Sequence, residues 1–143
     1  MSRPRTESLN LSDIAQKMRH LDIATFTTVT DGGALASRPM SNNGDVAFDG
    51  NSYYFTFDAS RTVADIEKNP QVSLGFEDGD GLYVTVAGEA ELIRDKAAFE
   101  AHWVPDLDRW FAQGADTPGV VLVKVKARHV KYWQGEESGE WAA

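Results

Sequence analysis

The sequence predicts a mainly β fold, an antiparallel barrel of about six strands with short helices at its ends. Three observations carry this expectation. Segments rich in Val, Ile, Thr, Tyr and Phe recur at short spacing along the 143 residues, and such side chains fit a pleated surface. Most of these segments are joined by short Asp, Asn and Gly stretches, which are hairpin signals. Helices between successive strands, which a doubly wound α/β fold needs, are missing.

Taken in order, residues 1–11 are polar and form a flexible N-terminal segment. Ser12 is the expected N-cap of a helix reaching His20, with Ile14, Met18 and Leu21 on one face. Ile23 to Thr30 is a strand, Asp31-Gly32-Gly33 a hairpin turn, and Ala34 to Met40 the returning strand. Asn42 to Asp45 is a loop. Val46 to Phe48 and Ser52 to Phe57 make a second hairpin around Asp49-Gly50-Asn51. A helix from Arg61 to Lys68 is stopped by Asn69-Pro70, since proline restrains the residue before it. Val72 to Glu77 and Leu82 to Leu92 form a third hairpin closed by Asp78 to Gly81, and Gly88 marks a bulge or bend. Asp95 caps a helix from Lys96 to Trp103 that Pro105 ends, and Leu107 to Phe111 adds a further turn. Val120 to Ala127 alternates as a strand and His129 to Trp133 continues it. The folded domain is thus expected over residues 12–135, with 136–143 a mobile acidic tail.

Composition removes several function classes. The length suits one domain with a full core. No apolar run reaches membrane-spanning length and the first residues are not those of a signal peptide, so a cytoplasmic protein without a membrane partner is expected. Cysteine is absent, which excludes disulfides, thiolate metal sites and a cysteine nucleophile. A formal net charge of −8 with no Lys/Arg cluster argues against nucleic-acid binding. Gly-x-Gly-x-x-Gly and Walker sequences are lacking. His102 and His129 have no ligand-type spacing around them, so no metal is expected. Asp78/Asp80 and Glu136/Glu137 read as a turn and a solvated tail, which leaves no evident catalytic side chain.

The stretch Tyr53 to Phe76 organises the rest. It reads as strand, tight corner, short helix, strand, and Asp58 and Ser60 offer oxygens to cap the helix. A helix start carries unpaired backbone N–H groups and partial positive charge. With the Ser60 and Thr62 hydroxyls and the Arg61 guanidinium beside it, this start has the donors that a terminal phosphate requires. Read without further context, the same residues make an ordinary Ser-capped helix with a solvated arginine.

Phe55-Thr56, Ser60-Arg61, a short helix, then Asn69-Pro70-x-Val72-x-Leu74-x-Phe76 resembles the flavin-phosphate segment of the pyridoxamine 5'-phosphate oxidase-like, FMN-binding split-barrel proteins. The resemblance runs from Ser12 to Gly135 and implies a split β-barrel binding FMN. It assigns Arg38, Pro39 and Met40 to the wall along the flavin, Phe55 and Thr56 to the neighbouring strand, and Ser60, Arg61 and Thr62 to the phosphate. The family usually has Lys where Thr62 stands, so one phosphate cation is missing. Trp103, Trp110-Phe111, Asp116 and Pro118 resemble the punctuation of the bacterial general-stress-protein branch, and their plain reading is a lid or an interface cover. Tyr132-Trp133-Gln134-Gly135 is similar to a segment whose tryptophan adjoins the flavin, which makes Trp133 a ring contact. The resemblance further implies a homodimer with the flavin at the subunit interface.

The chain departs from the true pyridoxamine phosphate oxidases after Gly135. Those enzymes carry an Arg- and His-bearing segment there, whereas Glu136, Glu137 and Glu140 follow here. Oxidation of vitamin B6 phosphates is therefore not expected. The expectations are flavin-dependent oxidoreduction of an unidentified small molecule, or flavin binding and storage in a stress response. FAD or a deazaflavin, the latter in a deazaflavin-dependent reductase, and a non-enzymatic β-barrel interaction module are the alternatives.

Overall fold

A computed structural model of the chain describes residues 6–8, 10–41 and 48–143, with side chains from residue 10 onward. The described elements are β1 (Thr6–Ser8), α1 (Leu11–Met18), β2 (Ile23–Val29), β3 (Leu35–Ser41), β4 (Asn51–Phe57), α2 (Arg61–Lys68), β5 (Gln71–Glu77), β6 (Leu82–Ile93), α3 (Lys96–His102), β7 (Val120–Gln134) and β8 (Glu137–Ala142). Two 3-10 turns, Pro105–Arg109 and Gly114–Asp116, lie between α3 and β7. The expected loop Asn42–Asp45 and most of the strand Val46–Phe48 lie outside the described residues, although Phe48 itself is buried.

One sheet runs β1-β8-β7-β6-β5-β2-β3, and β4 pairs with β7. Every pairing is antiparallel except that of β1 with β8. β7 is the spine: along one edge it pairs with β6, and along the other first with β4 and then with β8. β3 pairs only with β2 and β4 only with β7 among the described residues. The barrel is therefore split between β3 and β4, as the mainly β, split-barrel expectation requires.

Alternation explains which faces meet. Ala24, Phe26 and Thr28 of β2, Val72, Leu74 and Phe76 of β5, and Leu82, Val84 and Val86 of β6 all point inward and are buried. Phe26 meets Tyr54 of β4 edge to face, with ring centroids 5.4 Å apart. Burying each such side chain contributes about 1.5–3 kcal/mol, so β5 and β6 are committed to this register. A one-residue slip would turn the whole set to solvent. The Tyr54 and Ser52 hydroxyls are buried with no hydrogen-bond partner among the described residues, and burial pushes the Tyr54 pKa well above the ordinary tyrosine range, an effect the neighbouring Ser52 hydroxyl partly offsets.

Gly88 sits at the register shift between β6 and β7, as its place in the sequence predicts. A Cβ there would stand 2.3 Å from the Lys126 carbonyl oxygen, so only glycine allows the strands this close.

Three local expectations are corrected. Asn10, not Ser12, caps α1: its side chain accepts from the Asp13 N–H at 2.9 Å. Asn and Ser cap equally well, and here the asparagine stands first along the chain. The stretch 136–143 is not a mobile tail, because Glu137–Ala142 forms β8. Ser138 and Gly139 are buried there, one on each face, and residues so small and polar do not announce a strand. In the N-terminal segment expected to be flexible, Thr6–Ser8 is β1 alongside β8.

Candidate functional site

The edges of β3 and β4 that no described strand pairs flank an open cavity of about 350 Å3, within the roughly 300–1,000 Å3 of small-molecule sites. Arg38, Pro39, Met40 and Ser41 form its β3 wall, and Phe55, Thr56 and Phe57 its β4 wall. Pro39 stands on an edge, where its missing N–H costs no ladder bond. Such edges hold backbone donors and acceptors that a planar polar ring can meet.

α2 closes one side. Ser60 is its N-cap and accepts from the Val63 N–H at 3.3 Å. Thr62 is buried against the cavity, and Arg61 projects outward without a hydrogen bond or ion pair to a described residue. Asp58 does not cap the helix: Arg94 takes its carboxylate at 2.8 Å. Removing that carboxylate from the first turn leaves the N–H groups and Arg61 as the local charge.

Arg38 is held from behind. Its Nη1 donates to Thr28 Oγ1 at 2.8 Å and to the Phe26 carbonyl at 3.3 Å, and its Nη2 lies 3.6 Å from Asp65 Oδ2. Arg38 thus joins the β3 wall to α2 while its stem faces the cavity.

The outer wall comes from the 3-10 turn after α3. Leu107 and Phe111 sink into a second apolar cluster with Phe55, Phe99, Val120 and Leu122. Trp103 packs on Phe55 at 4.8 Å and donates its indole N–H to Asp108 at 3.0 Å. Trp110 remains 64% exposed and lines the cavity.

Of the residues expected at the flavin, Arg38, Pro39, Met40, Phe55, Thr56 and Thr62 converge on this cavity. Ser60 and Arg61 lie at its α2 end without lining it. Trp133 is elsewhere: it stands on β7 opposite Tyr83 of β6, 39% exposed. Ile23, Phe57, Leu107, Trp110 and Phe111 line the cavity without having been expected there. The Trp110-Phe111 pair was the one sequence signal for them. No described histidine lines the cavity; His102 stacks on Tyr53 at 3.8 Å and His129 pairs with Glu140 at 3.2 Å. No group of described residues is suited to hold a metal ion. No described helix is long and apolar enough to cross a membrane.

The outer sheet face carries a second feature. Tyr83 opposes both Glu77 and Trp133, and carrying the Thr25–Gly75 register two residues further sets Ile23 opposite Glu77. Ile23, Glu77, Tyr83 and Trp133 therefore form one row across four strands. Ile23 and Tyr83 are more than half exposed, and Ile23 also borders the cavity.

A split antiparallel barrel with an apolar cavity at its open seam defines the class of protein. The chain belongs to the family described as Pyridoxamine 5'-phosphate oxidase like, which matches residues 10–142. A comparison with curated proteins yields no match. Among solved structures it is similar to a Clostridium acetobutylicum protein related to general stress protein 26 of Bacillus subtilis. That pair has a TM-score of 0.75 and 18% identity over 92% of this chain and 91% of the other. General stress protein 26 from Bacillus anthracis gives 0.72 and 24%, covering 87% of this chain and 94% of its own. A heme-binding protein from Mycobacterium smegmatis gives 0.72 and 15%, covering 94% of this chain and 59% of its own. At these identities the structural likenesses establish the fold.

Proposed function

We propose that this chain is an FMN-binding protein of the general-stress-protein type, with the flavin ring in the seam between β3 and β4. Ser60, Arg61 and Thr62 with the first N–H groups of α2 would hold the phosphate. Arg38, Pro39 and Met40 would flank the ring on one side, and Phe55 and Thr56 on the other. The observation that carries this reading is Arg61 at the helix start, engaged by no described residue, at the α2 end of a cavity walled by two strand edges that no described strand pairs. A bound flavin supplies electron transfer, and the chain's own residues orient it and keep water from it. The activity is then oxidoreduction of a small molecule, or storage of the flavin.

The active form is a homodimer. The row Ile23, Tyr83 and Trp133 is an exposed apolar face beside the cavity, of the kind that marks an interface. Trp133 does not reach the cavity of its own chain, so it would adjoin the flavin of the second copy.

Purified protein tests the cofactor directly. Released ligand with the absorbance and mass of FMN is expected, with added FMN raising the Tm of stripped protein. A deazaflavin mass would favour that cofactor instead. Colourless protein whose Tm no flavin moves would return the α2 corner to a capped helix in an interaction module. Pyridoxamine and pyridoxine phosphates should give no peroxide, since Glu136 and Glu137 are exposed carboxylates that repel a phosphate.

A further inference from the structure

Trp110 is the ring in the cavity wall that no described aromatic covers. Phe55, Phe57 and Phe111 pack on one another, and Trp103 closes that cluster from behind. The turn Pro105–Arg109 is anchored through Leu107 and Phe111, which are 3% and 5% exposed, while Trp110 stays out at the cavity. The Arg109 guanidinium lies over the Trp110 ring, 5.8 Å from its centroid. Ile23, Met40 and Phe57 add further apolar surface to the wall.

Charge narrows the occupant. Arg38 is the one charged side chain among the described lining residues, and Asp65 balances it at 3.6 Å. The remaining polar members, Ser41, Thr56 and Thr62, are neutral hydroxyls. Ser41 donates to Asp22 at 2.8 Å, and Thr56 approaches Ser60 at 3.5 Å. With flavin bound, the FMN phosphate would take Arg61 and bring its own negative charge, which disfavours a second anion beside it. The wall therefore favours a neutral ring over a charged one.

We propose that the Trp110 wall binds an uncharged, planar aromatic molecule stacked on the indole, and that this is the substrate class of the flavin site. The proposal deepens the flavin reading by naming what sits beside the cofactor. Its site is built from side chains of this chain and can be probed with or without flavin.

The test titrates 2-naphthol and naphthalene-2-sulfonate, which share a ring system and differ in charge, into FMN-loaded and flavin-free full-length protein by calorimetry. 2-Naphthol should bind, and the sulfonate should bind about tenfold more weakly. Trp110→Ala should weaken 2-naphthol about tenfold, while Trp110→Phe keeps it within about threefold of wild type, because stacking survives in the smaller ring. Equal affinity for the two probes, or a Trp110→Ala variant that binds 2-naphthol like wild type, overturns the proposal. So does a Trp110→Ala variant that loses dimer mass at unchanged naphthol affinity, since Trp110 is then an interface cover. If the protein takes up no FMN, the flavin reading fails, and the titration of flavin-free protein still decides the Trp110 site.

Discussion

Thr28 donates its hydroxyl to Asp65 Oδ2 at 2.7 Å inside the barrel, and Arg38 approaches that same oxygen at 3.6 Å. Thr28 and Asp65 are both buried, and the Arg38 side chain is 22% exposed. Removing the carboxylate strands a cation that water reaches poorly and a hydroxyl that water does not reach. Asp65→Ala should lower the unfolding free energy by about 2–4 kcal/mol, below the top of the range for buried pairs because Arg38 keeps some water. Adding Arg38→Met should cost less than the sum of the two single changes. Denaturant unfolding measures both, and a loss under about 1 kcal/mol for Asp65→Ala would show that the pair does not tie α2 to β3.

Tyr54 makes stability fall at alkaline pH. Its folded pKa is raised by burial, while the unfolded chain titrates near the ordinary value of about 10. Above that pH the unfolded state has lost a proton that the folded state keeps, so unfolding becomes easier as pH rises. The slope from this residue is at most about −1.4 kcal/mol per pH unit. Tyr54→Phe should remove it and, at neutral pH, leave stability unchanged or slightly higher, since the lost hydroxyl has no hydrogen-bond partner among the described residues. Identical alkaline slopes for the two proteins would contradict this.

Gly88→Ala should cost about 1–3 kcal/mol, because the new methyl meets a backbone carbonyl that two strand pairings hold in place. Gly32→Ala is the control. A Cβ at Gly32 meets nothing within 4 Å, and the change should stay within about 0.5 kcal/mol. Equal Tm values for the two variants would remove the steric account of the bulge.

Arg61→Ala should weaken FMN binding by about 1.5–3 kcal/mol, the range for a hydrogen bond to a charged group. Its effect on Tm without flavin should be small, because the side chain is exposed and makes no hydrogen bond or ion pair with a described residue. Fluorescence titration of FMN reads the first and a thermal scan the second. Unchanged flavin affinity would take Arg61 out of the site.

Much of the fold is legible in the chain because its strands show one apolar face. Val72, Leu74 and Phe76, and then Leu82, Val84 and Val86, alternate cleanly, and Gly88 marks the bulge between them and the strand end. α2 is legible from Ser60 to Lys68 because cap, helix and Asn69-Pro70 stop agree. β8 is not, since its buried residues Ser138 and Gly139 carry no hydrophobic signal, and its pairing with β7 supplies the order. The β3 and β4 walls follow from residues near each other in sequence and from the family pattern. The wall of Leu107, Trp110 and Phe111 does not, because about fifty residues separate it from Phe57 and only packing brings them to 5.1 Å. Trp133 lies away from its own chain's cavity, and local spacing, which says which strand it ends, says nothing about which barrel it faces.

β7 threads both apolar clusters. Leu122 belongs to the aromatic annex, and Val123, Val125, Val130 and Tyr132 belong to the main core. Neither can loosen without pulling on the same backbone ladder, so the annex that presents Trp110 has no melting transition of its own. Heat should unfold the molecule in one cooperative step, with the middle amides of β7 among the last to exchange with solvent.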